Sequence, residues 1–367
     1  MNLSEALKQK YTKEKISAYD AQRLAEFIAF GPVIFQASRL MIKFGILDLL
    51  DKHPEGMTRE ELVEATGLSD YAVKCLTDAS LSIGTILIDD STDRFRISKT
   101  GIFLLKDKAT RVNIDFNHDV NYLGWFNLEE SLKEGRPAGL KTLGEWPTIY
   151  EGLSSLEPQV QKSWFGFDHF YSDSSFPEAL KVVFDMHKTR FLLDVGGNTG
   201  RWAMQCVGYD PEVRVTILDL PQQIGLMKEA TKGKPGAERI DGFGTDMLDP
   251  EAMLPTDRHY DAIWMSQFLD CFSGQQIVSI LRRAAKIMDG ESRLYIMETL
   301  WDRQKYETAA MCLTLTSLYF TALANGNSKM YHSEDMMAYV KEAGMEVEKI
   351  IDNLGQGHSI MICRLVQ

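Results

Sequence analysis

The feature that most constrains this chain of 367 residues is an apolar run that ends in a glycine-rich turn. Residues 191–195 are the pattern of a short buried strand, and Gly196, Gly197 and Gly200 follow it closely. Glycines in such a turn let backbone N–H groups approach a ligand that a Cβ would hold off. Helical spacing begins at Arg201, so the sequence predicts a strand, turn and helix that carry a ligand site.

Two carboxylates follow the turn at informative positions. A second apolar run, 213–220, contains Asp219 at its end, 19 residues after Gly200. That offset is typical of the acid that binds ribose hydroxyls in nucleotide-binding βαβ units. Asp246 lies where a third strand is expected to end. The spacing Gly-Gly-x-x-Gly differs from the dinucleotide fingerprint, and no phosphate-loop lysine follows it.

Charge, cysteine usage and hydropathy exclude several classes of protein. The formal charge of −12 argues against a polyanionic partner. The five cysteines are scattered without a Cys-x-x-Cys pair, which predicts a reducing compartment rather than a disulfide framework. The start lacks the apolar core of a signal peptide, and the longest apolar stretch, 309–324, is too short for a membrane span. We therefore expect a cytoplasmic chain with no membrane partner and, since no metal-ligand spacing occurs, no metal.

The region from 57 to 105 has the order helix, helix, hairpin, which is a winged-helix layout. Thr58 and Ser69 are placed to cap two helices, and Gly67 is placed to end the first. Winged helices often bind DNA, but between residues 51 and 99 six basic residues are outnumbered by ten acidic ones. A DNA-binding surface needs many cations to neutralise phosphates. We therefore expect no nucleic-acid partner.

From residue 191 onward, predicted strands and helices alternate, which indicates a parallel sheet covered on both faces. A final pair of strands, 345–351 and 359–365, is expected to add an antiparallel edge. The predicted strands before that pair are 191–195, 213–219, 238–243, 260–265 and 292–298. The fold class is therefore α/β, with three expected regions: a helical domain over 1–110, a helical linker and pocket segment over 111–180, and a cofactor domain over 181–367.

These motifs together resemble those of small-molecule O-methyltransferases that depend on S-adenosylmethionine, of the caffeic-acid and antibiotic-tailoring type. The resemblance covers nearly the whole chain: Glu-Gly-Arg-Pro (134–137), Asp-Val-Gly-Gly-Asn-Thr-Gly (194–200), Leu-Asp-Leu-Pro (218–221) and Gly-Thr-Asp-Met (244–247) occur in order. It implies a class I methyltransferase fold, a Rossmann-like seven-stranded sheet with an N-terminal, mainly helical winged-helix dimerisation domain. It also implies a homodimer that methylates the hydroxyl of a small aromatic acceptor.

The resemblance assigns the cofactor contacts position by position. The glycines line the amino-acid end of S-adenosylmethionine, Asp219 accepts from both ribose hydroxyls, and Asp246 accepts from the adenine amine. Leu220 packs on the adenine. The full implied set is Asp194, Gly196, Gly197, Gly200, Asp219, Leu220, Asp246, Met247, Ser266 and Gln267.

The catalytic positions depart from the family pattern. The family has Leu-His-Asp-Trp after the fourth strand, with histidine as the base, whereas this chain has Leu-Asp-Cys-Phe at 269–272. Asp270 thus replaces the histidine, and Glu298 matches a supporting glutamate of the family. The position of the family's second supporting glutamate falls near Met330 in this chain.

This departure leaves three interpretations open. Asp270 is the base, helped by Glu298; or proximity alone activates an acidic acceptor; or the fold binds the cofactor and has lost methyl transfer. A winged-helix regulator that senses S-adenosylmethionine is the alternative from another class of protein.

The acceptor pocket is expected from an aromatic run, 164–171, that precedes the cofactor domain. Phe165 and His169 in this run, and Met311 on a later helical stripe, are the candidate substrate contacts. His169 is either a pocket residue that contacts the substrate or acts as a substitute base, or a core histidine whose hydrogen bonds are made within the protein.

Overall fold

The computed structural model describes residues 5–366, which divide into two compact units. The smaller unit is Lys13–Asp119, and the larger one consists of residues 120–366 together with residues 5–12. Helix α1 (Glu5–Thr12) therefore belongs with the larger unit.

The smaller unit consists of helices and one hairpin. Its elements are α2 (Ala18–Ala29), α3 (Gly31–Lys43), α4 (Ile46–Lys52), α5 (Arg59–Thr66), α6 (Asp70–Ile83), β1 (Ile86–Asp89), β2 (Arg94–Ile97), α7 (Lys99–Lys106) and α8 (Lys108–Phe116). The predicted caps are present: Thr58 and Glu61 form a capping box on α5, Gly67 ends that helix, and Ser69 caps α6. The helix, helix, hairpin order over 59–97 is as the sequence predicts.

Hydropathy gives one result that bears on membrane contact. Within residues 5–366 no helix is by itself long and apolar enough to cross a bilayer. The pair α2 and α3 passes the same test of length and composition only when taken together, and it is bent by 73°.

The larger unit continues with short helices and then an α/β layer structure. Its helices are α9 (Leu128–Glu134), α10 (Ile149–Gly152), α11 (Pro158–Asp173), α12 (Phe176–Asp185), α13 (Arg201–Tyr209), α14 (Pro221–Thr231), α15 (Gly274–Ala285), α16 (Glu307–Tyr319) and α17 (Ser333–Glu342). Its strands are β3 (Phe191–Val195), β4 (Arg214–Asp219), β5 (Ile240–Gly244), β6 (Ala262–Ser266), β7 (Arg293–Glu298), β8 (Met345–Leu354) and β9 (His358–Leu365).

The seven strands form one mixed sheet in the order β5-β4-β3-β6-β7-β9-β8. The first five are parallel, whereas β9 runs antiparallel to both β7 and β8. This arrangement confirms the predicted class I methyltransferase sheet. Each predicted strand starts within two residues of the observed one, but β8 runs on to Leu354, because register shifts after Val347 and Ile351 accommodate extra residues in its pairing.

The core lies on both faces of the sheet and follows the two-residue period of strands. On one face Leu193, Ile263 and Ile296 pack against α15 and α17. On the other face Leu192, Trp264 and Met297 pack against α12, α13 and α14. Because both faces are covered, the carboxyl edge of the parallel strands is the open part of the sheet where a ligand can bind.

Candidate active site

The turn after β3 has a backbone that needs its glycines. Gly196 and Gly200 have φ values of +78° and +80°, and Gly200 is the residue before α13. Asn198, between them, has a φ of +49°, a left-handed conformation that asparagine adopts more readily than most residues. The turn therefore carries three left-handed residues within five positions and opens at the N-terminus of a helix, where backbone N–H groups are available to a ligand.

The middle glycine is required by space rather than by φ. A Cβ at Gly197 would lie 2.6 Å from Asp194 Oδ2 and 2.8 Å from Ile217 Cγ2. A Cβ at Gly196 would lie 2.4 Å from the Phe268 ring. The turn is thus packed directly onto β3, β4 and the segment after β6.

We expect Gly197→Ala to lower both the melting temperature and the affinity for S-adenosylmethionine, because the new methyl group pushes the turn off Asp194 and Ile217. The matched control is Gly208→Ala in α13, where nothing lies within 4 Å of the added Cβ. In a helix that change stabilises by about 0.5–1 kcal/mol. Differential scanning fluorimetry with and without the cofactor measures both effects, and a Gly197→Ala protein with normal melting and binding would contradict the packing.

Asp219 closes the turn from the neighbouring strand. Its Oδ2 accepts from the Asn198 N–H at 2.8 Å, and its Oδ1 accepts from the Leu220 N–H at 2.7 Å. Each carboxylate oxygen keeps a further lone pair, so the group remains able to accept from a ligand. Burial raises the pKa of Asp219.

Asp194 lies beside Asp219 on β3 and is almost fully buried. Its Oδ2 has no hydrogen-bond partner in the part of the chain that the structure describes. Burial, helped by the charge of Asp219, raises the pKa of Asp194 to about 8. Asp194 therefore carries a proton at neutral pH.

The other predicted cofactor residues lie at the same edge of the sheet, with one difference. Leu220 is half-buried before α14, and Asp246 is exposed after β5. Ser266 and Gln267 follow β6, where Gln267 has a φ of +44° and a buried side-chain oxygen without a partner among residues 5–366. Met247 instead points into the core below the sheet.

The two predicted catalytic carboxyl groups lie together after β6 and β7. Asp270 is 5% exposed and accepts a weak hydrogen bond from the Cys271 Sγ at 3.5 Å. Glu298 is 3% exposed, and its Oε1 accepts from the N–H groups of Phe268 at 3.1 Å and Leu269 at 2.9 Å. The glutamate thus holds the backbone of the turn that carries Asp270.

Burial dominates the electrostatics of this pair. It raises the pKa of Asp270 to about 7, and the nearby charge of Asp168 on α11 adds to the effect. Burial and the charge of Asp270 raise the pKa of Glu298 well above its ordinary value. Within residues 5–366 neither carboxyl group is paired with a lysine or arginine. Around pH 7 Asp270 is thus divided between its acid and its conjugate base, which suits proton transfer.

The candidate substrate residues are only partly brought together. Phe165 and His169 lie one turn apart on α11, with ring centroids 5.7 Å apart and ring planes tilted by 31°. Arg201, at the start of α13, lies 3.4 Å from His169 Nδ1 and is paired with Asp173. Burial, with help from Arg201, lowers the pKa of His169, so its ring is neutral at pH 7. Met311 on α16 is 44% exposed.

Four residues of the site are absent from the individually named candidates: Tyr150, Trp164, Asp168 and Tyr319, of which Trp164 and Asp168 lie within the predicted aromatic run 164–171. Tyr150 on α10 has a buried hydroxyl whose pKa is raised first by burial and then by Cys271. Trp164 donates to the Tyr319 hydroxyl at 2.7 Å, which ties α11 to α16. The four-residue spacing of Trp164 and Asp168 was a usable signal, because it places both on one helical face. Tyr150 lies in a four-residue helix and offers no such pattern.

No group of three or more His, Cys, Asp or Glu side chains that could hold a metal ion occurs in the described part of the chain.

Comparison with known proteins places this geometry in a family. The model of a Dimerisation2-like domain matches residues 22–95, and the model of an O-methyltransferase domain matches residues 125–346, more than half of the chain. Among curated relatives, an L-tyrosine C(3)-methyltransferase of Streptomyces lavendulae is 23% identical over 90% of this chain and 88% of its own length. A mitomycin biosynthesis 6-O-methyltransferase of the same organism is 23% identical over 86% of each chain.

A solved structure supports the fold. An O-methyltransferase from neocarzinostatin biosynthesis, in complex with S-adenosylmethionine and 2-hydroxy-5-methyl naphthoic acid, matches with a TM-score of 0.66 and 19% identity. The match covers 90% of this chain and 96% of that one. With both family models, the seven-stranded sheet and the glycine turn in agreement, the chain belongs to the O-methyltransferase family, whose members are S-adenosylmethionine-dependent enzymes that methylate small molecules.

Proposed function

We propose that this protein transfers a methyl group from S-adenosylmethionine to a hydroxyl of a small aromatic molecule, with Asp270 as the general base. The observation that carries the proposal is the buried carboxyl group of Asp270, which has no ion-pair partner within residues 5–366 and lies at the carboxyl edge of the sheet that also bears the glycine turn. The family match to residues 125–346 supports the reaction class.

The residues at this edge fit the cofactor. A ligand against Gly197 meets backbone rather than a side chain, and Asp219 offers free lone pairs on both oxygens for the ribose hydroxyls. Leu220 and Asp246 supply an apolar and an accepting group for the adenine, and Gln267 has an unsatisfied oxygen. When bound, S-adenosylmethionine supplies an electrophilic methyl group on a positively charged sulfur.

The base is matched to its task by its surroundings. An ordinary aspartate, with a pKa of about 3.9, is a poor base for a phenol near about 10. The buried carboxyl of Asp270, with a pKa of about 7, is a better match. Asp270 accepts the hydroxyl proton as the acceptor oxygen becomes nucleophilic. Glu298 acts on Asp270 by holding the N–H groups of its turn.

A ring carbon is a second candidate for the methylated atom. A deprotonated phenol is nucleophilic at the carbon next to its oxygen as well as at the oxygen itself. A curated relative that spans most of this chain is named as a C(3)-methyltransferase of L-tyrosine. The same base serves both outcomes, because both begin with loss of the phenolic proton.

The reaction is tested by incubating the full chain with methyl-labelled S-adenosylmethionine and a panel of mono- and dihydroxylated aromatics. Mass spectrometry detects the demethylated cofactor, and NMR locates the new methyl group on oxygen or carbon. We expect transfer to at least one phenol and none to the matching arene without a hydroxyl. Cofactor turnover that is the same with and without every phenol would contradict the proposal.

We further propose that the chain is divided into an N-terminal domain (1–110), a linker and pocket segment (111–180) and a cofactor domain (181–367). Two copies of the chain form a homodimer through the N-terminal domain. Helices α2 and α3 expose large apolar side chains: Leu24, Ile28 and Val33 are each more than half exposed. Such a surface is typical of a protein interface, and the family model over 22–95 describes a dimerisation-like domain. The scattered cysteines support a cytoplasmic setting.

A further inference from the structure

The turn 268–272, which carries Asp270, is held by side chains from two different directions. On its N–H side, Glu298 accepts from Phe268 and Leu269. On its carbonyl side, two residues of a later segment donate to the carbonyl oxygens of Cys271 and Phe272. Side chains therefore bind four polar backbone groups of this turn, and two backbone hydrogen bonds within it, from Cys271 to Phe268 and from Phe272 to Leu269, bind four more.

The first carbonyl contact comes from Tyr331. Its hydroxyl donates to the Phe272 carbonyl oxygen at 2.6 Å, and the residue is 4% exposed. Its ring packs edge-on against the Tyr339 ring, with centroids 5.7 Å apart. The ring is thus fixed by packing, and the hydroxyl has one defined role.

The second contact comes from Asn325, which follows the π-helical turn Phe320–Ala324. Its Nδ2 donates to the Cys271 carbonyl oxygen at 2.6 Å and to Ser328 Oγ at 2.8 Å. Its Oδ1 accepts from the N–H groups of Asn327 and Ser328, so the amide is fully committed and its orientation is fixed.

We propose that Tyr331 and Asn325 are positioning residues that hold the turn 268–272 closed and so keep the Asp270 carboxyl out of water and in place for proton transfer. The proposal rests on the proposed function, because it takes Asp270 as the base. Neither residue needs to touch the acceptor for this role. Their effect passes through the backbone at positions 271 and 272.

The surroundings of Asp270 make water exclusion the decisive variable. The titratable groups that act on it from neighbouring elements are acidic or neutral, and within residues 5–366 none of them is a cation: Asp168 of α11, Glu298 of β7, Tyr150 of α10, Tyr319 of α16, Tyr331 and the adjacent Cys271. If the turn opens, water reaches the carboxyl group of Asp270, and its pKa falls toward that of an exposed aspartate.

The first test compares Tyr331→Phe with Tyr339→Phe, which removes the hydroxyl of the packed partner ring. For Tyr331→Phe we expect the acidic limb of the kcat/KM profile to move down by about one pH unit. We also expect kcat to fall about tenfold, the rate equivalent of one hydrogen bond, with an unchanged KM for S-adenosylmethionine. Tyr339→Phe should leave all three at wild-type values. An unmoved acidic limb in Tyr331→Phe overturns the proposal.

The second test does not depend on activity. Asn325→Asp keeps the oxygen that caps Asn327 and Ser328 but loses the donor to Cys271. We expect a thiol reagent to label Cys271 several times faster in this variant and in Tyr331→Phe, as measured by peptide mass spectrometry, with Cys312 as the internal reference. Wild-type labelling in both variants overturns the proposal. If Asp270 is not the base, the fall of kcat/KM at acidic pH remains in Asp270→Asn. The labelling rate of Cys271 still shows whether the turn 268–272 has opened.

Discussion

Replacing Asp219 with alanine should weaken S-adenosylmethionine binding by about a hundredfold or more, the loss expected for two charge-assisted hydrogen bonds. The carboxylate would otherwise accept from the ribose through lone pairs left free by the Asn198 and Leu220 N–H groups. Its removal also releases those two N–H groups, so the glycine turn loses a tie to β4. Isothermal titration calorimetry of the full chain measures the change.

Two further variants separate the ligand contact from the structural tie. Asp219→Asn keeps an oxygen for the turn but loses the charge, and we expect it to bind the cofactor better than Asp219→Ala and worse than wild type. Asp241→Ala removes an exposed acid from the adjacent strand β5 and should bind normally. Wild-type affinity in Asp219→Ala would remove this residue from the site.

Replacing Asp270 with asparagine should lower kcat by about a hundredfold to ten-thousandfold, the range found for loss of a general base. In the wild-type enzyme kcat/KM should fall as the pH drops below about 7, because burial raises the pKa of Asp270 to about 7 and only the ionised form accepts a proton. The asparagine variant should lose this limb and keep its affinity for S-adenosylmethionine. A pH profile measured with a phenol found by the turnover screen decides the matter, and an identical limb in both proteins would exclude Asp270 as the base.

The same substitution should raise the melting temperature at high pH. In the unfolded chain Asp270 has an ordinary pKa of about 3.9, well below its value in the folded protein. Folding therefore takes up a proton between these values, so the stability from this group is complete below about pH 4 and is lost as the pH rises through about 7. Asp270→Asn should accordingly melt higher than wild type at pH 8 and nearly level with it at pH 4.5. Asp241→Asn is the exposed control.

Much of the larger unit was predictable from sequence because its signals are local. Gly196 and Gly200 are required by φ, a property of their own backbone, although the space limit at Gly196 and Gly197 is also set by the distant residues Phe268 and Ile217. The apolar runs predicted the positions of the strands, because strands that are buried on both faces consist almost entirely of apolar residues. The position of Asp219 at the end of β4 follows from the same pattern.

The acceptor side was less predictable because it is assembled from distant segments. Tyr150, Asp168 and Tyr331 come from three elements that have no common spacing, and only packing brings them to Asp270. Asp270 is buried in the same turn as Phe268 and Phe272, whose ring centroids are 4.8 Å apart. The backbone anchoring by Glu298 had no sequence signal, since a glutamate at the end of a strand serves many roles.

The placement of β9 between β7 and β8 has a consequence for how the protein is made. Ser359 on β9 is the strand partner of Glu298, so β7 has an unsatisfied edge until residues 358–365 have left the ribosome. Until then the nascent larger unit carries a mainly apolar six-residue strand whose edge is open to pairing with other chains. A stop codon before residue 358 would therefore yield an aggregation-prone product rather than a weakened catalyst.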